Sequence, residues 1–87
     1  MKLRFQKSFE KSYKKLLHSL KEKTRVAIKL FAKNPLNPKL KNHALGGKMK
    51  GKRAFSVTGN VRIVFQEFDD YTLVLMLKVG THNQVYG

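Results

Sequence analysis

Asn60-Val61-Arg62-Ile63-Val64-Phe65-Gln66 and, beyond Asp69-Asp70, Leu73-Val74-Leu75-Met76-Leu77-Lys78-Val79 are the stretches that decide how this chain folds. In the first, Val61, Ile63 and Phe65 alternate with Arg62, Val64 and Gln66, the period of a strand with one buried face. In the second, Leu73, Leu75, Leu77 and Val79 alternate with Val74, Met76 and Lys78. The two all-apolar rows are expected to face a core. Arg62 and Lys78 then stand on the opposite face, with Val64 and Met76 between them. A slip of one residue would exchange the faces.

Working outward, Thr58-Gly59-Asn60 supplies a tight turn, preceded by a strand in which Phe55 and Val57 alternate with Ala54 and Ser56. At the other end Leu3 and Phe5 alternate with Lys2, Arg4 and Gln6, a short half-buried strand. Ser8 is positioned to cap a helix, with Glu10 in the first turn where the dipole favours an acid. Phe9, Tyr13, Leu16, Leu17 and Leu20 form one apolar stripe on that lysine-rich helix. A second helix is expected over 21–33 with Val26, Ala27, Leu30 and Phe31 inward, stopped by Asn34-Pro35. Residues 34–51, with both prolines and three glycines, read as an extended connection. The order is β-α-α-β-β-β. It predicts an α+β fold, with two N-terminal helices on one face of a small, mainly antiparallel four-stranded sheet.

At 87 residues the chain has room for one domain, 1–87, and no repeats or linkers divide it. It has no cysteine, which excludes disulfides and thiolate metal sites. The apolar run 73–77 is too short to span a bilayer, and the first residues carry no signal-peptide pattern, so a soluble cytoplasmic protein is expected. The formal net charge is +14, and 17 of the 19 Lys and Arg residues fall within 1–53. Self-repulsion on that scale points to an anionic partner, nucleic acid foremost.

Chemistry concentrates in few places. Arg62, flanked by core residues, must point out of the core with a fork suited to phosphate, and Lys78 shares its face. His82 and Tyr86 lie four residues apart just past the last strand. His43 sits in the basic connection, whose Lys48, Lys50, Lys52 and Arg53 belong to a run without a single acid, while His18 reads as a solvated helix residue. The histidines are too scattered in sequence for a metal set, and no cofactor motif appears. Imidazole, guanidinium and an aromatic ring together suit RNA cleavage by the substrate's own 2′-hydroxyl.

At these residues the chain resembles toxins of the RelE/ParE superfamily, from bacterial type II toxin–antitoxin modules. The likeness rests on the element order, on Lys41-Asn42-His43-Ala44-Leu45-Gly46-Gly47, on Asn60-Val61-Arg62-Ile63-Val64-Phe65, and on Val79-Gly80-Thr81-His82 with Val85-Tyr86. The loop and the ending are similar to the YafQ-like branch, the arginine strand to the RelE and YoeB branches. The resemblance implies an endoribonuclease that cuts mRNA in the ribosomal A site without metal or cofactor. It implies catalytic or substrate-contacting roles for His43, Arg62, Lys78, His82 and Tyr86, and RNA contacts in the region of Lys50, Lys52 and Arg53. It also implies an acidic antitoxin partner that folds on binding. The YafQ-like branch has histidine where this chain has Ser56 and aspartate where it has Asn60, so one supporting acid/base pair is missing. Two other functions share these residues: a ParE-like, non-enzymatic inhibitor of DNA gyrase, and a basic RNA-binding module without catalysis.

Overall fold

In the computed structural model, which describes residues 1–86, five strands form one sheet in the order β1-β5-β4-β3-β2. The strands are β1 (Lys2–Phe5), β2 (His43–Ala44), β3 (Arg53–Ser56), β4 (Val61–Phe68) and β5 (Leu73–Thr81). Strand β1 runs parallel to β5; every other pairing is antiparallel. Helices α1 (Lys7–Lys14) and α2 (His18–Lys33) cover one face, and a short α3 (His82–Tyr86) follows β5. The architecture is the expected α+β one with a fifth strand added. That strand, His43–Ala44, is only two exposed residues long, so it carries no alternation to find.

Strand β4 follows its pattern: Val61, Ile63 and Phe65 are buried under the helices. Strand β5 does so only in part. Val64 pairs with Lys78, but Phe65 pairs with Met76, so Leu77 is an extra residue, a β-bulge. The bulge inverts the parity of everything before it. Val74 and Met76, expected on the open face, are buried in the main core, whereas Leu73, Leu75 and Leu77 are only half-buried. Val79, past the bulge, keeps its expected place in the core, and Lys78 its place outside it.

The helical stripe from Phe9 to Leu20 is also interrupted. Helix α1 ends at Lys14 and α2 begins after Leu17, which is 73% exposed. Phe9, Tyr13, Leu16 and Leu20 still reach one core, but from both sides of a chain reversal, and their spacing imitates a single helix. On α2, Val26 is 66% exposed where an inward residue was expected; Thr24 takes the buried position and donates from Oγ1 to the Leu20 carbonyl at 2.7 Å. Phe31, fully buried, stacks on Phe55 with ring centroids 4.5 Å apart and meets Phe65 edge-on at 4.9 Å.

Ser8 is not the cap; Gln6 stands at that position, with no side-chain bond to the helix. Instead, where β1 ends, the edge of β5 would be left with unpaired backbone groups. The Ser8 hydroxyl donates to the Leu77 carbonyl at 2.6 Å, and the Val79 N–H donates to Ser12 Oγ at 3.0 Å. Two serines of α1 thus continue the ladder on either side of Lys78. Ser12→Ala is expected to cost about 1–3 kcal/mol, the penalty for a buried N–H left without an acceptor. Urea denaturation of the variant measures this directly.

Candidate functional site

Paired residues on neighbouring strands share a face, so the register lays out the surface opposite α1 and α2. One row crosses four strands: His43, Ala54, Val64, Lys78. The next carries Ser56, Arg62 and Gly80. The middle of this face is not open. Ala54 and Val64 are buried with Val85 of α3 in a second small core, flanked by Leu45, Met49, Leu77 and Tyr86. Two N-terminal helices therefore cover one face and the C-terminal turn closes part of the other.

Gly80 makes that closure possible. A Cβ there would stand 2.6 Å from Gln84 Oε1 and 3.1 Å from Gln84 Cβ, and Gln84 Oε1 already accepts the Thr81 N–H at 2.9 Å. Gly80→Ala is expected to push α3 outward and lose that hydrogen bond, at about 0.5–1.5 kcal/mol. The shift would appear as changed amide chemical shifts across residues 81–86.

Beside this small core lies a cavity of about 320 Å³ lined by His43, Arg62, His82 and Tyr86. Four of the five residues expected to carry chemistry therefore meet at one place. His82 opens α3 and Tyr86 closes it, so one helical turn brings their rings together edge to face, centroids 4.5 Å apart. His43 Nδ1 lies 2.9 Å from the Lys41 carbonyl. A carbonyl can only accept, so Nδ1 carries the proton and the lone pair of the neutral ring is on Nε2. Lys41 reaches that position through a left-handed backbone, φ 51°.

Arg62 Nε and the Tyr86 hydroxyl are buried, and neither has a hydrogen-bond partner among the described residues. Buried polar groups are nearly always paired, and leaving one unpaired costs stability. Two such groups lining one cavity form a donor set without an acceptor. No Asp or Glu lines it.

Lys78 lies in the neighbouring cavity of about 510 Å³, together with Lys48 and Lys52; Tyr86 and Met49 border both cavities. Lys50 is exposed on the loop before β3. Arg53 is elsewhere. It pairs with Phe65 on the helix-covered face, and its Nε donates to Asn42 Oδ1 at 2.9 Å. Asn42 in turn donates to the Pro35 carbonyl and to the Tyr71 hydroxyl, each at 3.0 Å, so Arg53 fastens the connection rather than lining the cavity. Ser56 stands directly across from Arg62, and Asn60 lies in the preceding turn with its N–H on Thr58 Oγ1. Leu45, Gly46 and Met49 complete the wall; Leu45 and Gly46 belong to the segment that carried the resemblance, and nothing in its residue type marked Met49 beforehand.

The sheet order and the flanking helices place the molecule among the toxins of RelE-like fold. The crystal structure of YafQ from E. coli strain BL21(DE3) superimposes with a TM-score of 0.82 at 24% identity, over 98% of this chain and 97% of that one. A copper-bound mutant toxin from Helicobacter pylori matches at 30% identity and a TM-score of 0.70, over 98% of each chain. The toxin in the E. coli DinJ–YafQ toxin–antitoxin complex matches at 24% identity and a TM-score of 0.78, over 98% of this chain and 96% of that one. No curated protein sequence matches. The family model described as "Bacterial toxin of type II toxin-antitoxin system, YafQ" covers residues 1–87, and the chain belongs to that family. Among the described residues no helix is long and apolar enough to cross a membrane, and no three His, Asp or Glu side chains gather as a metal site.

Proposed function

We propose that this toxin is an endoribonuclease that cuts mRNA in the ribosomal A site by attack of the 2′-hydroxyl on the adjacent phosphorus. The observation that carries this reading is the pair of unpartnered donors, Arg62 Nε and Tyr86 Oη, buried beside two imidazoles. His43 Nε2 takes the 2′-hydroxyl proton, the role its tautomer suits. The 2′-oxygen bonds to phosphorus, the bond to the 5′-oxygen breaks, and protonated His82 returns a proton to the leaving oxygen. Arg62 donates to the phosphoryl oxygens as their charge grows, and Tyr86 adds a second donor. Lys78, Lys48 and Lys52 hold the neighbouring phosphates, with Lys50 at the rim. With Ser56 and Asn60 in place of an imidazole and a carboxylate, proton transfer rests on His43 and His82. An antitoxin is the partner seen with the E. coli relative, and an acidic one would neutralise the +14 surface here.

Primer extension on a reporter mRNA in a purified translation system tests the reading. Cuts confined to translated message and to A-site codons are expected; intact message at full translation refutes it and directs attention to gyrase supercoiling. Tyr86→Phe gives a second, sharper result. Removing a buried hydroxyl that has no partner among the described residues is expected to leave the melting temperature unchanged or higher, while cleavage falls by on the order of 10²-fold. A drop in both would make Tyr86 a packing residue only.

A further inference from the structure

We propose that single-stranded RNA beside the cut leaves the cavity across Lys78 and lays its phosphates along Lys11 of α1 and Lys15, the residue that caps its end. This rests on the endoribonuclease reading and adds a substrate path to it. Three cavities adjoin. The one holding Arg62 shares Met49 and Tyr86 with the Lys48–Lys52–Lys78 cavity, and that one shares Ser8 and Lys78 with a third of about 380 Å³. The third is bounded by Lys11, Lys15 and Gln84 as well. Lys78 is the hinge of the path, exposed to both of its cavities.

The absence of acids sets this path apart from two other grooves. None of the three joined cavities is lined by an Asp or Glu. Two further grooves each hold one, Glu10 beside Phe5 and Tyr13, and Glu22 beside Val26. The one ion pair among the described residues, Arg25 with Glu22, also lies off the path. Lys11 and Lys15 stand one turn apart at the end of α1, like charges that repel unless an anion lies between them.

Their position relative to Lys78 is fixed rather than fortuitous. Ser8 and Ser12 bind the backbone of Leu77 and Val79, the two neighbours of Lys78, so α1 is fastened on both sides of it. A flexible surface lysine cluster would lack such registration. The same two hydrogen bonds that complete the β5 edge set the spacing between the cavity and the helix lysines.

Fluorescence anisotropy with 2′-O-methyl oligonucleotides of roughly three and roughly nine nucleotides tests this, since such strands bind without being cut. The proteins compared are the parent, Lys11→Ala/Lys15→Ala, and a charge-matched control on α2 that lines none of the three joined cavities, Lys29→Ala/Lys33→Ala. The first double variant should bind the longer strand about tenfold more weakly at low salt. The slope of log affinity against log salt should flatten by about 1.4, two phosphate contacts at roughly 0.7 each. Binding of the shorter strand should match the control. An equal loss in the control, or an equal loss on the short strand, overturns the path. A loss seen only with vacant ribosomes would assign Lys11 and Lys15 to folded ribosomal RNA and overturn it too. Expected binding with no cleavage of translated message would sink the endonuclease reading alone; A-site cleavage without the length-dependent loss would sink the path alone.

Discussion

Arg62→Ala is expected to lose on the order of 10³-fold in cleavage, and with it all growth inhibition, while unfolding at no lower a urea concentration than the parent. The two halves of that expectation come from one atom. Arg62 Nε is buried without a partner among the described residues, so the folded protein already bears the cost of its desolvation. Deleting the guanidinium removes that cost and exposes no new unpaired group. In the proposed transition state the guanidinium faces phosphoryl oxygens gaining charge, and a fixed donor is worth most where charge develops. Arg62→Lys should recover little, because a compact ammonium cannot reproduce the planar fork. His82→Ala, which removes the proposed acid from an exposed ring, should be silent as well with the fold intact. If both Arg62→Ala and His82→Ala stay toxic at equal expression, the catalytic assignment is wrong.

Phe31→Ala is expected to destabilise the protein by about 3–5 kcal/mol. Phe31 is fully buried, and its ring touches α2's partners on two different strands, Phe55 on β3 and Phe65 on β4, besides meeting Tyr71 at 6.1 Å. Chains of this size commonly hold only about 5–15 kcal/mol in total, so the variant should be largely unfolded at growth temperature. Circular dichroism against urea gives the number. Val26→Ala, five residues earlier on the same helix but facing solvent, should fall within about 0.5 kcal/mol of the parent. A comparable loss at both positions would mean that α2 is rotated relative to the sheet.

The contrast between those residues shows where the sequence was readable. Val26 and Phe31 look alike in an apolar pattern, and only the sheet beneath decides which one is buried. Strand β4 was legible because Arg62, Gln66 and the core residues alternate in type as well as in position. Strand β5 was not, because six of the residues 73–79 are apolar in either phase and the bulge at Leu77 leaves no mark in residue type. Lys78 alone announced its face. The cavity was half legible. Arg62, His43, His82 and Tyr86 announced themselves by chemistry, but Arg53 looked no different from Lys52, and only the hydrogen bond to Asn42 separates a fastener from a phosphate contact. The break between α1 and α2 was masked by Leu17, an apolar residue at a helical interval that ended up in solvent.

Strand β1 has a single neighbour, and that neighbour is β5: Lys2 lies against Leu73 and Phe5 against Met76. The first strand made by a ribosome therefore waits for the last of the five. Helix α3, which walls the cavity, is later still. Domains generally fold from the N-terminus as they emerge, and here the helical hairpin and the β2–β3–β4 ladder can form first, while β1 stays unpaired until β5 is made. Pairings this distant in sequence also form slowly. A product terminated before β5 would have neither a place for β1 nor a complete cavity.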